Sequence, residues 1–207
     1  MMKLKIFNQN PVNINSYLLI KQKKSILIDP GFNGKAIIKY LFETNIDLNF
    51  ILLTHGHFDH IRDIQKLAEK YRFKVYISNI DIDLLKDNTK NYANAFGAKF
   101  NFPKDIEIVS IKDKEELTFF NESFKLILTP GHTKGSICIK YNQWFFSGDT
   151  IFIDSIGRTD LFSGNSSDMQ KSLEYLKKKL SNQTIIYPGH GRYSKWKDVK
   201  RVNPYIK

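Results

Sequence analysis

Cysteine is nearly missing from this chain: Cys138 stands alone among 207 residues. That excludes a disulfide framework and any zinc module built on thiolates. Long apolar runs are missing as well. Stretches such as Ile51-Leu52-Leu53 fall far short of a membrane span. Met1 to Asn10 contains no apolar segment of the secretory type. No membrane partner is therefore expected, and the cytoplasm is the default compartment. Acidic residues are in deficit, 21 against 32 Lys and Arg, which leaves a formal charge of +11. A basic balance draws anions, nucleic acid among them. Here the lysines are spread along the chain, and the densest runs, Lys21 to Lys24 and Lys177 to Lys179, are short. The pattern reads as a compositional habit, with no specific nucleic-acid partner.

What is present suffices for a normal core. Hydrophobic residues make up 42% and charged residues 26%, ordinary values for a globular protein. No linker or low-complexity segment interrupts the chain, so residues 1–207 read as one domain. Strand-like segments lie near Ser16 to Ile20, Ser25 to Ile28, Asn49 to Leu53 and Phe73 to Ile77. Others lie near Phe124 to Leu128, Ser136 to Lys140, Trp144 to Phe146 and Thr184 to Tyr187. Helical spacing fills Lys35 to Thr44, Ile61 to Tyr71, Ile80 to Lys86 and Ser167 to Leu180. That alternation predicts an α/β fold.

The histidines are the informative residues. There are five, and none is scattered. Three fall in Thr54-His55-Gly56-His57-Phe58-Asp59-His60, one in Pro130-Gly131-His132-Thr133, and one in Pro188-Gly189-His190-Gly191. Each group follows an apolar strand. In extended backbone, positions i and i+2 point the same way, so His55 and His57 can reach one ion together. Gly56 between them has no side chain to crowd it. Asp59 and His60 start the following helix and face another direction, which would supply a second ion nearby. Ser147-Gly148-Asp149-Thr150 ends another apolar strand and adds a carboxylate. Imidazole and carboxylate without thiolate suit zinc, iron or manganese.

Taken in order, these motifs resemble a metallo-β-lactamase-fold hydrolase, and Leu27-Ile28-Asp29-Pro30-Gly31 matches that family's early strand and turn. The resemblance covers nearly the whole chain. It implies a four-layer αβ/βα sandwich of two mixed β-sheets flanked by helices. It also implies a ligand set: His55, His57 and His132 for one metal, Asp59, His60 and His190 for a second, and Asp149 bridging. Asp29 would hold the loops that carry ligands, or serve only its turn. A strand-end cap is the rival role for Asp149.

Within the family, Gly157-Arg158-Thr159-Asp160-Leu161 is similar to a segment of the short, single-domain glyoxalase II-like (hydroxyacylglutathione hydrolase-like) group. The resemblance implies that Arg158 binds a substrate carboxylate; the alternative is that Arg158 and Asp160 pair and brace the loop. Asn91 to Phe102, with Tyr92, Phe96 and Phe100, reads as a loop or short helix that walls the pocket or joins the core. Flavodiiron members carry Glu where this chain has His57, and an RNA-processing nuclease needs a further catalytic His that is not available here. The persulfide dioxygenases, which use a single iron, share the Gly-Arg-Thr-Asp segment but differ around the last His. There this chain has Gly189-His190-Gly191-Arg192. The reaction so implied is hydrolysis of a small anionic acyl thioester by a hydroxide bridging two divalent ions, zinc first, with Asp59 orienting it. No Ser or Cys nucleophile is needed, and Cys138 between Ile137 and Ile139 reads as a buried strand residue.

Overall fold

The computed structural model describes residues 2–206. The chain divides into two compact units. One runs to Ile77 and takes in Ile82–Ser110; the other comprises Ser78–Asp81 and the chain from Ile111 onward.

The first unit holds a six-stranded sheet in sequence order. Its strands are β1 (Lys3–Phe7), β2 (Ser16–Lys21), β3 (Lys24–Ile28), β4 (Asp47–Leu52), β5 (Lys74–Ser78) and β6 (Glu107–Ile111). β1, β2 and β3 pair antiparallel, and β3, β4 and β5 pair parallel, so the sheet is mixed. The parallel strands bury apolar residues towards their ends, Ile26 to Ile28 in β3 and Ile51 and Leu52 in β4. Helix α1 (Gly34–Thr44) buries Ile37 and Leu41 among Leu18, Leu27, Ile51 and Val75. It ends where Asn45 turns left-handed, a conformation Asn tolerates.

The expected helix over Ile61 to Tyr71 is corrected. It begins earlier and is broken into α2 (Phe58–Ile61) and α3 (Ile64–Ala68). The break lies at Asp63, and its cause is local. The Asp63 backbone N–H donates to Gly31 O at 3.0 Å, and its carboxylate accepts from Gly34 N–H at 2.8 Å. These bonds fasten α2 and α3 to the turn that starts α1.

The second unit holds the other mixed sheet, in the order β12, β11, β10, β9, β8, β7. Its strands are β7 (Glu116–Phe119), β8 (Glu122–Leu128), β9 (Ile137–Tyr141), β10 (Trp144–Gly148), β11 (Ile185–Pro188) and β12 (Ser194–Lys195). Among the described residues of this sheet only β10 and β11 pair parallel. Helix α4 (Ser166–Lys179) is capped by Asn165, whose side chain accepts from Asp168 N–H. It packs Met169, Leu173 and Leu176 against Cys138, Phe145 and Ile186. Burying each such side chain contributes about 1.5–3 kcal/mol. Helix α5 (Trp196–Val202) adds Trp196 and Val199 to the same core.

The α/β expectation of two mixed sheets flanked by helices is met. The elements that the hydrophobic pattern does not announce are β1, β6, β7, β12 and α5. The expected helix over Ile80 to Lys86 is only a 3₁₀ turn at Ile82–Leu85. Among the described residues no helix is long and apolar enough to cross a membrane.

Candidate metal centre

In the first unit the donors sit where β3 and β4 end together. Ile28 is in register with Leu52, and Asp29 N–H donates to Leu52 O at 3.2 Å. Asp29 Oδ1 accepts from Thr54 N–H at 2.8 Å, and Oδ2 accepts from Thr54 Oγ1 at 2.6 Å. The same Oδ2 lies 2.9 Å from His60 Nδ1. A carboxylate can only accept, so His60 donates through Nδ1 and carries its lone pair on Nε2. Thr54 Oγ1 has given its proton to Asp29 and lies 3.1 Å from His55 Nδ1. His55 must therefore donate to it, which again leaves the lone pair on Nε2. One buried carboxylate thus sets the tautomer of two imidazoles. Asp29 also sits in the turn, at φ 47°.

His57 is extended, at φ −70° and ψ 149°, and directly precedes α2. The extended backbone that lets His55 and His57 act together does persist past the strand. Their rings lie 4.7 Å apart. His60 lies close to this pair. Its ring is 4.1 Å from that of His55, closer than His57 is, because α2 starts at once and folds the chain back. His60 Nε2 lies 3.9 Å from Asp59 Oδ2. All three imidazoles are buried.

The second unit brings together the rest. His132 follows β8, Asp149 follows β10 and His190 follows β11. Asp149 Oδ2 lies 3.5 Å from His132 Nε2 and 3.7 Å from His190 Nε2. The carboxylate of Asp149 thus faces two imidazoles. His132 Nδ1 is 2.7 Å from the Arg158 carbonyl oxygen, so it donates there and its lone pair is again on Nε2. Gly157 makes this approach possible. A Cβ there would stand 1.9 Å from the Asp149 carbonyl oxygen and 3.0 Å from His132 Nδ1.

Three contributions are not legible in the sequence pattern. The Thr54 hydroxyl and the Arg158 carbonyl are two. The third is Asp81, buried at 1% exposure, which accepts from Thr133 Oγ1 at 2.7 Å and Gly135 N–H at 3.0 Å. It braces the loop after His132 from a point far back in the chain. Only its placement next to an apolar turn hints at burial.

The Arg158 side chain turns outward and pairs with Asp160. Nε reaches Oδ1 at 3.0 Å and a terminal nitrogen reaches Oδ2 at 2.8 Å, with both side chains more than two-thirds exposed. Arg158 holds the Asp160 carboxyl below the usual range. Beside this segment lies a groove of about 610 Å³, lined by Arg158, Thr159, Met169, Gln170, Leu173 and Tyr205 among others. Of Asn91 to Phe102, Phe100 is core, Phe96 is half exposed, and the Tyr92 ring lies against His57 at 5.4 Å. Cys138 is buried in β9 as expected, and burial pushes its thiol up to about 11.

The donor set fits a divalent cation such as zinc or iron: imidazole and carboxylate, no thiolate, and the far ring nitrogens of His55, His60 and His132 already engaged by acceptors. Comparison with known proteins agrees. A family model described as the metallo-beta-lactamase superfamily matches residues 10–190. The "Probable metallo-hydrolase MJ0888" of Methanocaldococcus jannaschii is 38% identical over 86% of this chain and 87% of its own. Among solved structures, the BLEG-1 B3 metallo-beta-lactamase is 30% identical, with TM-score 0.91 over 99% of this chain and 100% of that one. TTHA1623, solved in a di-iron-bound form, is 28% identical, with TM-score 0.85 over 97% and 99%.

Proposed function

This chain belongs to the metallo-beta-lactamase superfamily and is a metal-dependent hydrolase, and we propose that it cleaves small anionic acyl thioesters in the cytoplasm at a centre for two divalent ions. The observation that carries the reading is the donor set with its fixed tautomers. Asp29 and Thr54 aim His55 and His60, and the Arg158 carbonyl aims His132. His55, His57 and His132 would hold one ion, Asp59, His60 and His190 the other, with Asp149 shared between them. Zinc is the first choice on donor chemistry, and iron is supported by the di-iron form of TTHA1623. When bound, such a pair lowers the pKa of water and polarises a carbonyl.

The chain's own residues do the rest. Asp59 orients the attacking hydroxide. Asp149 sets a carboxylate oxygen against His132 Nε2 and His190 Nε2, where a cation would be shared among the three. Arg158 leaves Asp160 for a substrate carboxylate, for which its planar fork is suited. The +11 charge raises the local concentration of anionic substrates. A thiolate leaves without help from an acid, so a thioester, unlike an amide, makes no demand for a placed general acid.

A substrate panel tests the reading. It contains acyl thioesters with and without a carboxylate, a β-lactam and a persulfide. Thioester hydrolysis that is abolished by chelation and restored by zinc or iron is expected. A β-lactam turned over in preference would move the substrate class towards that named for BLEG-1. Oxygen uptake with the persulfide would replace hydrolysis by sulfur oxidation.

A further inference from the structure

Tyr92 has a backbone that its side chain opposes. It sits at φ 67° and ψ 15°, the left-handed region where a Cβ crowds the carbonyl and bulky residues are rare. Among the described residues, most other non-glycine positions with positive φ carry Asn, Asp, Ser or a flexible polar side chain, as at Asn13, Gln22, Asp29, Asn45, Lys114, Asn121, Asn142 and Ser163. Phe120 also has positive φ, but with Asn121 it forms the two-residue turn between β7 and β8, whose geometry requires it. Tyr92 lies in no such turn.

The surroundings impose the strain. Asn91, before it, is fully buried. Its carbonyl accepts from Phe58 N–H at 2.8 Å, its Nδ2 donates to Leu84 O at 2.7 Å, and its Oδ1 accepts from Ala93 N–H at 2.9 Å. Ala93, after it, is fully buried too. Phe58 opens α2, which has no side-chain cap, so the Asn91 carbonyl serves as one. The Tyr92 ring then comes to rest 5.4 Å from the His57 ring with the planes at 80°. Filling the core does not explain the ring. The adjacent aromatic cluster is built from Phe32, Phe58, Phe96 and Phe100, and Tyr92 lies outside the apolar core.

We propose that Tyr92 is a positioning residue for His57: the strained backbone holds the phenol ring edge-on against the imidazole and fixes its orientation. The proposal rests on the reading of His57 as a metal ligand. Strain at a functional position persists only where the surrounding structure over-determines it, which the bonds around Asn91 do.

The test uses cobalt(II) alone as the probe, with wild type, Tyr92→Phe, Tyr92→Gly and Tyr92→Asn. Cobalt affinity, the ligand-field absorption of the bound ion and the Tm of the metal-free protein are measured. Tyr92→Phe keeps the ring and should match wild type in affinity and spectrum. Tyr92→Gly relieves the backbone and removes the ring. It should bind cobalt about ten-fold more weakly, with a shifted absorption band and a metal-free Tm that holds or rises. Tyr92→Asn, which tolerates this φ, should behave likewise. Wild-type affinity and spectrum in Tyr92→Gly and Tyr92→Asn would refute the positioning role. A fall in metal-free Tm in step with affinity would assign Tyr92 to packing. A wild-type protein that takes up no cobalt would instead overturn the metal centre itself, and this role with it.

Discussion

Replacing Asp29 by Asn changes one atom and should cripple metal binding. Asn accepts the left-handed φ of 47° without penalty, so the turn survives. Its Oδ1 can still accept from Thr54 N–H, as now at 2.8 Å. The amide nitrogen, however, now faces Thr54 Oγ1 and His60 Nδ1, which both donate to Oδ2 in the native protein. To avoid opposed donors, His60 must move its proton from Nδ1 to Nε2. The Thr54 hydroxyl must turn and give its proton to His55 Nδ1, which drives the His55 proton to Nε2 as well. Both ligand nitrogens are then blocked. Loss of a group that orients a metal-binding His typically costs 10–100-fold in affinity. Here two rings are affected, so the expected loss is about 100-fold, or roughly 2.7 kcal/mol. Two charge-assisted hydrogen bonds are weakened at a site where Asp29, Thr54 and His60 are all buried. At roughly 1.5–3 kcal/mol each, partly replaced by the amide, the metal-free protein should lose about 2–3 kcal/mol. The assays are zinc titration against a competing chelator and urea unfolding of the metal-free protein. Unchanged zinc affinity in Asp29→Asn would refute the tautomer reasoning.

Other outcomes follow from the same structure. His57→Ala should lose most of its bound metal, whereas Asp59→Ala should lose most thioester turnover; full activity in either variant contradicts the assigned donors. Arg158→Ala should raise KM about ten-fold for anionic thioesters, the worth of one charge-assisted pair, and leave neutral ones unchanged; equal KM shifts for both would confine Arg158 to bracing the loop with Asp160. Burial raises the Cys138 thiol from 9.0 to about 11 in the folded protein. The folded state therefore holds this proton more tightly, and stability should fall as pH rises through that window, by roughly 1.4 kcal/mol per unit. Cys138→Ala should lack this component when unfolding is followed by urea titration at several pH values.

Much of this was legible in the sequence, for physical reasons. β3, β4, β9 and β10 announce themselves because their apolar runs are long enough to be seen. The candidate donors stand out in the sequence because all five histidines sit beside Gly, Asp or Thr at strand ends. Edge strands such as β6 and β7 were not, since half-exposed positions dilute the alternation. The break at Asp63 was invisible because it depends on Gly31 and Gly34, far back in the chain. Asp81 and the Arg158 carbonyl were missed for the same reason. One acts across more than fifty residues, and the other acts through the backbone, which every residue shares. The closeness of His55 and His60 came from where α2 starts, and helix starts are among the features a sequence fixes least.

The most direct test of the central claim is the metal content of protein purified without chelating agents, measured by elemental mass spectrometry on wild type and on His132→Ala. About two zinc or iron ions per wild-type chain and a clear loss in His132→Ala are expected. Wild-type protein with no metal above background, or a variant with undiminished content, would contradict it.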